Sequence, residues 1–174
     1  KEAALQLSSA QELAFQEIEK SFNSKEVCLL HGVTSSGKTE IYIQLIERYL
    51  QQEKQILYLL PEIALTTQLV GRLREYFGNK VAVFHSKHSN NERVEVWKQV
   101  LENSPKAQIV IGARSALFLP FSNLGLIIVD EEHEQTFKQQ DPAPRYHARD
   151  AAVVLASLHQ VTQTNGEPCG AKVL

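Results

Sequence analysis

The stretch Gly32-Val33-Thr34-Ser35-Ser36-Gly37-Lys38-Thr39 follows a short apolar run at 27–30 and opens a segment of helical periodicity at 38–51. It fits the pattern GxxxxGK[ST], which has mechanical content only in that setting, where a buried strand hands a glycine-rich turn to the start of a helix. The glycines let the backbone curl so that successive N–H groups converge, and the helix N-terminus adds the positive end of its dipole. The product is an anion cradle at the carboxyl end of a strand, which calls for a sheet with helices packed behind it. A Gly/Ser turn that merely caps the helix at Lys38 is the alternative.

The rest of the chain repeats that alternation. Leu7, Leu13, Ala14, Ile18 and Phe22 recur at helical spacing within 4–22, with Ser8 and Ser9 as caps. Strands are predicted at 27–30, 55–60, 81–84, 108–111 and 124–129. Helices are predicted at 38–51, 63–77, 90–101 (carrying Val94, Trp97 and Val100) and 148–158. Loops fall at 86–91, 119–123 and 139–144, and 171–174 reads as the opening of another strand. Strands alternating with helices of this length predict an α/β domain, a mainly parallel sheet with helices on both faces.

Composition closes off other classes. With 174 residues, 43% apolar and 22% charged, the chain suits one globular domain and neither a disordered nor a fibrous protein. The net charge of -2 excludes a histone-like nucleic-acid binder, so any DNA affinity must come from local contacts and be weak and salt-sensitive. No charged start followed by an apolar stretch and a small-residue cleavage site is seen, so processing by secretion is not expected, and no apolar run approaches a membrane span. The two cysteines, Cys28 and Cys169, form neither a CxxC pair nor a disulfide framework, which points to a reducing, cytoplasmic setting. Methionine is absent, so the chain is expected to be processed or a piece of a longer protein.

The phosphate cradle assigns roles. Lys38 reaches the β- and γ-phosphates, and the Thr39 hydroxyl is a hard ligand for Mg²⁺. The apolar run 124–129 ends in Asp130-Glu131, and successive strand residues point to opposite sides. Asp130 is assigned to Mg²⁺ and Glu131 to orienting the attacking water. The nucleotide-binding set is Gln11, Gly32, Val33, Thr34, Ser35, Ser36, Gly37, Lys38, Thr39 and Glu40, with Lys38 and Glu131 catalytic. A solvated acidic cluster is the plain alternative for 130–134.

The box Asp130-Glu131-Glu132-His133 resembles the DEAH-like motif of superfamily 2 helicases. Leu60-Pro61-Glu62-Ile63-Ala64-Leu65-Thr66, Phe84-His85-Ser86, Ile111-Gly112-Ala113-Arg114-Ser115-Ala116, and Phe137-Lys138-Gln139 through Arg145-Tyr146-His147-Ala148-Arg149-Asp150 resemble the PriA-type replication-restart helicases. The resemblance runs from Leu7 to Leu158 and implies the first RecA-like lobe of a bacterial, ATP-dependent 3′-to-5′ DNA helicase that acts at stalled forks. Its partners would be forked or single-stranded DNA, a second helicase lobe and a DNA-binding region of the same parent, single-stranded-DNA-binding protein and primosome proteins. The second lobe, the N-terminal DNA-binding region and the zinc-binding cysteines are not in this sequence, so no zinc site is expected.

By the same resemblance Glu132 and His133 couple nucleotide to DNA. Pro61, Thr66, His85, Ser86, Arg114, Ser115, Phe137, Lys138, Arg145 and Tyr146 are candidate DNA contacts, with Phe137 and Tyr146 as stacking aromatics. Gln11 would read adenine, although Ser8-x-x-Gln11 is also a capping box. His85 and His88 lack a third metal ligand. A P-loop ATPase lobe that remodels RNA or protein is the competing class, and a nucleotide-binding module with little turnover of its own is a third.

Overall fold

The computed structural model of the chain describes residues 6–32, 37–159, 161–162 and 168–174. Its helices are α1 (Ser9–Phe22), α2 (Lys38–Gln51), α3 (Thr67–Phe77), α4 (Asn90–Leu101) and α5 (Ala148–Leu158). Its strands in chain order are β1 (Gln55–Leu59), β2 (Val81–Phe84), β3 (Ile109–Gly112), β4 (Leu124–Val129), β5 (Lys138–Gln139), β6 (Tyr146–His147), β7 (Val161–Thr162), β8 (Pro168–Cys169) and β9 (Lys172–Val173). Five of them make a parallel sheet in the order β2-β3-β1-β4-β9. The pairs β5–β6 and β7–β8 are short antiparallel ribbons.

Side-chain alternation along β1 explains the two-sided cover. Ile56 and Tyr58 pack in one core with Ile18 and Phe22 of α1, Ile41 and Leu45 of α2, and Leu73 of α3. Leu57 and Leu59 point the other way, into a core with Val100 of α4 and Ala148, Ala152 and Ala156 of α5. Each fully buried aliphatic side chain contributes about 1.5–3 kcal/mol, so central strands read as unbroken apolar runs. Alanines on α5 let that helix lie close to the sheet. At the end of β3, a Cβ on Gly112 would come within 2.7 Å of the Phe84 carbonyl oxygen. Only glycine permits that approach.

Two elements depart from the expected pattern. In place of a strand at 27–30 there is a single parallel bridge, Val27 to Val173, flanked by the Cys28 N–H donating to the Val173 carbonyl at 2.9 Å. Its partner β9 spans only two residues, so pairing runs out and Leu29 is 74% exposed where burial was expected. The helix expected at 63–77 divides into a 3-10 turn, Glu62–Ala64, and α3. Thr66 takes an extended conformation and its hydroxyl accepts from the Leu69 N–H at 3.3 Å, so the cap wins over helix continuation. The strand opening expected at 171–174 is β9.

Candidate functional site

The carboxyl ends of β1, β2, β3 and β4 open on one edge of the sheet, where Pro61, His85, Arg114 and Asp130 follow closely. Ligands of open α/β sheets bind at this edge. A cavity of about 610 Å³ lies there, walled by His31, Gly32, Gly37, Lys38, Thr39 and Tyr42 on one side and by Asp130, Glu131, Glu132 and His133 on the other. Val33, Thr34, Ser35 and Ser36 lie outside the described residues.

Gly37 has φ +78° and immediately precedes α2, whose first residue is Lys38. The Lys38 Nζ donates to the Gly32 carbonyl at 3.2 Å, spanning the loop. The Gln11 side chain is the capping partner expected of it and is also bonded to the glycine before α2. Its Oε1 accepts from the Ser8 N–H at 2.8 Å, completing the capping box of α1, and its Nε2 donates to the Gly37 carbonyl at 2.9 Å. Glu40 pairs with Arg72 of α3 through one carboxylate oxygen.

The strand alternation expected to separate Asp130 from Glu131 does not reach them, because β4 ends at Val129 and both acids lie in the turn that follows and line the same cavity. Asp130 is partly buried, its N–H donates to the Leu59 carbonyl at 3.0 Å, and its carboxylate accepts from two tyrosine hydroxyls. Tyr42 of α2 donates at 3.3 Å and Tyr58 of β1 at 3.0 Å, and the two rings meet edge to face at 5.6 Å. Burial, and then the Asp130 charge, push both phenols above their ordinary value, so they stay protonated and act as donors. Glu131 adopts φ +53°, a left-handed conformation rare outside glycine, and lines the same cavity as Asp130. Among the described residues, no three His, Cys, Asp or Glu gather as a metal cage. The hard oxygens of Thr39 and Asp130 on one cavity nevertheless suit Mg²⁺, which commonly takes one or two protein oxygens and completes its shell with water and phosphate.

The candidate DNA contacts separate into those free to meet a ligand and those already engaged. Phe137, expected to stack on bases, is 1% exposed and packs into the core with Ala148 and Leu117 nearby in the same cluster. In this arrangement it cannot stack. Pro61 is also buried, and its carbonyl accepts from the Ala64 N–H. Arg114 donates through Nη1 to the carbonyls of Lys138 at 3.0 Å and Thr136 at 3.4 Å, fastening the end of β3 to the segment after the acidic box.

Tyr146 is half-buried and meets Phe118 edge to face at 5.4 Å, and Phe118 is 66% exposed. Lys138 and Arg145 are exposed beside it, with the Arg145 Nε donating to the Gln140 carbonyl. Ser86 and Thr66 are exposed, and Ser115 is half-buried. The His85 and His88 rings meet at a tilt of 39° with centres 4.0 Å apart. Glu132 pairs with Arg149 at 3.0 Å, whereas His133 is exposed.

The sequence model of the DEAD/DEAH box helicases matches residues 8–162. The chain belongs to the DEAD/DEAH box helicase family. It is 48% identical over 157 residues to the replication restart protein PriA of Bacillus subtilis, covering 89% of this chain and 19% of that protein. It is 51% identical over 167 residues to PriA of Haemophilus influenzae, covering 95% and 22% respectively. The chain thus spans about a fifth of the length of these relatives. Among solved structures, RecG bound to a three-way DNA junction has a TM-score of 0.62 at 22% identity, over 97% of this chain and 20% of RecG. The helicase MrfA has a TM-score of 0.61 at 23% identity, over 90% of this chain and 25% of MrfA. These likenesses are of fold, the RecA-like architecture of helicase lobes.

In this DEAD/DEAH box helicase domain, sequence reasoning missed Tyr42, Tyr58 and Phe118. Tyr42 lies three positions after Thr39 on α2, so it shares a helix face with the proposed Mg²⁺ ligand. That spacing was a usable signal. Tyr58 had none, because a tyrosine within an apolar strand reads as core. Among the described residues no helix is long and apolar enough to cross a membrane.

Proposed function

We propose that this chain is the ATP-binding lobe of a PriA-type DNA helicase, working in the bacterial cytoplasm on forked or single-stranded DNA with 3′-to-5′ polarity during replication restart. The observation that carries the reading is the meeting of Gly37, Lys38 and Thr39 with Asp130 and Glu131 across one cavity at the carboxyl edge of the sheet. Lys38 would leave the Gly32 carbonyl for the β- and γ-phosphates, a charge-assisted contact that outweighs a neutral one. Thr39 and Asp130 would hold Mg²⁺. Bound there, the ion would neutralise phosphate charge that builds up as the bond to the γ-phosphate breaks. Glu131, on the same cavity and in a left-handed backbone conformation, would hold and orient the attacking water.

Gln11, tied to the loop through Gly37, would report adenine to the phosphate cradle. Arg114, Lys138, Arg145, Tyr146 and Phe118 would form the DNA-facing side, and the Glu132–Arg149 pair would join it to the acidic box. A second lobe with an arginine finger contributes on the order of 10³–10⁵ in rate, so the chain by itself should bind Mg-ATP with little turnover. Primosome proteins and single-stranded-DNA-binding protein would be partners of the longer protein.

ATP turnover by a full-length protein carrying this chain, measured with and without single-stranded DNA, tests the reading. Stimulation by DNA is expected. A rate that responds to RNA and ignores DNA would move the chain to the RNA-remodelling class.

A further inference from the structure

Asp130 is pinned between two elements by groups that the acidic box does not contain. Tyr58 reaches it from β1, the strand beside β4, and Tyr42 reaches it from α2, the helix that begins at the phosphate loop. Each hydroxyl takes a different carboxylate oxygen, Oδ1 for Tyr42 and Oδ2 for Tyr58, and the Glu131 N–H adds a bond to Oδ1 at 3.0 Å. Both tyrosines are almost fully buried, at 4% and 0% exposure, and their rings brace each other. Tyr58 is sealed from water, Tyr42 borders the cavity with its hydroxyl on Asp130, and neither neutral phenol cancels the charge of the carboxylate.

A carboxylate oxygen has two lone-pair sites, so Oδ1 is filled by Tyr42 and the Glu131 N–H, while Oδ2, which accepts only from Tyr58, keeps one site for an ion. The rotamer of Asp130 is therefore set before any ion arrives. Tyr42 also stands one turn after Thr39, so the same helix sets the positions of both proposed ion ligands.

We propose that Tyr42 and Tyr58 are positioning residues for the Mg²⁺-holding carboxylate of Asp130, linking the phosphate-loop helix to the acidic box. This inference rests on the nucleotide reading above. Partners that orient a metal ligand typically change metal affinity by about 10–100-fold when removed, whereas groups that serve only the core change stability.

The test uses Tyr42→Phe and Tyr58→Phe, which keep both rings and remove only the hydroxyls. Affinity for a fluorescent ATP analogue is measured across a magnesium titration and again in excess chelator, alongside thermal unfolding. The expected result is a roughly tenfold rise in the magnesium concentration needed for half-maximal tightening in Tyr58→Phe and a smaller rise in Tyr42→Phe, whose bond is longer, with metal-free affinity unchanged. An unchanged magnesium requirement in both variants overturns the proposal. So does a loss of affinity that is equal with and without magnesium, because that is the mark of a structural role. Should Tyr58→Phe fail to fold, Tyr42→Phe decides alone. If the unsubstituted chain itself binds nucleotide without regard to magnesium, the nucleotide reading falls first and takes this inference with it.

Discussion

The Gln11 amide and the Gly37 carbonyl are joined at 2.9 Å, so the capping box of the first helix and the end of the phosphate loop form one unit. Gly37 is the tighter constraint of the two. Its φ is +78°, and a Cβ there would strike the Gln11 amide. A left-handed non-glycine residue costs about 1–2 kcal/mol before the collision is counted. Gly37→Ala should therefore lower the unfolding temperature and weaken ATP binding together, read by thermal unfolding and nucleotide titration. Gln11→Ala should leave the loop backbone unstrained and lose discrimination between ATP and GTP. Preserved discrimination in that variant would confine Gln11 to its capping role.

Lys38 and Glu131 should part company in their effects. Lys38→Ala removes the charge proposed to meet the phosphates and should abolish or greatly weaken Mg-ATP binding. Glu131→Gln in the full-length protein should bind normally and lose turnover, since the amide retains size and loses the acceptor charge that orients water. Steady-state turnover and equilibrium binding on the same preparations separate the two.

Phe137 and Phe118 offer a paired comparison. Phe137 is buried, so Phe137→Ala should destabilise the chain by about 3–5 kcal/mol in denaturant unfolding. Phe118 is exposed beside Tyr146, so Phe118→Ala should leave stability nearly unchanged and weaken single-stranded DNA binding by the full-length protein. Normal DNA affinity in Phe118→Ala would remove that pair from the DNA-facing side.

Gln55 is a fully buried amide at the start of β1. Its Oε1 accepts from the Ser122 and Asn123 N–H groups at 2.9 and 2.8 Å, and its Nε2 donates to the Val100 carbonyl at 2.8 Å. Gln55→Leu should cost about 2 kcal/mol, roughly one for each N–H left without its acceptor. Urea unfolding measures it, and a neutral substitution would mean that the loop at 119–123 holds its shape without the amide.

Acid should destabilise the fold through His85. Burial, and secondly the neighbouring His88, hold its imidazole below the ordinary value of 6.5, and its Nδ1 accepts from the Lys87 N–H at 3.0 Å, a bond that needs the unprotonated ring. The unfolded chain then binds the proton more readily than the folded one. That contribution is complete above about 6.5 and is lost as the pH falls below it. His159, lowered by burial, acts in the same direction. Unfolding temperatures at about pH 7.5 and about pH 5.5 should differ, and His85→Gln should narrow the gap. An equal acid shift in both proteins would clear His85 of the effect.

Most of the element pattern was legible in the sequence, and the reasons are local. A glycine directly before a helical repeat marks the start of α2 at Lys38, and strands buried on both faces announce themselves as unbroken apolar runs. The acidic box was legible too, because it sits where such a run stops. Burial was harder to read. Val94 and Trp97 keep helical spacing with Val100 on α4, yet only Val100 is buried, and the two others are 52% and 44% exposed. Periodicity marks a helix face without saying how far the sheet beneath it extends.

What the sequence determined by itself was the order of elements and the identity of the charged groups at their ends, since these depend on neighbours a few positions apart. Only the tertiary structure decided which of those groups were already engaged. Tyr42, Tyr58 and Asp130 are 16 and 72 residues apart in successive steps along the chain, and they meet because β1 lies between β3 and β4 with α2 packed on one face. Phe137 went to the core and Phe118 to the surface for the same kind of reason. Hydroxyls and rings settle wherever the packed layers leave either a partner or a gap, and that is a property of the assembled sheet and helices rather than of any one segment.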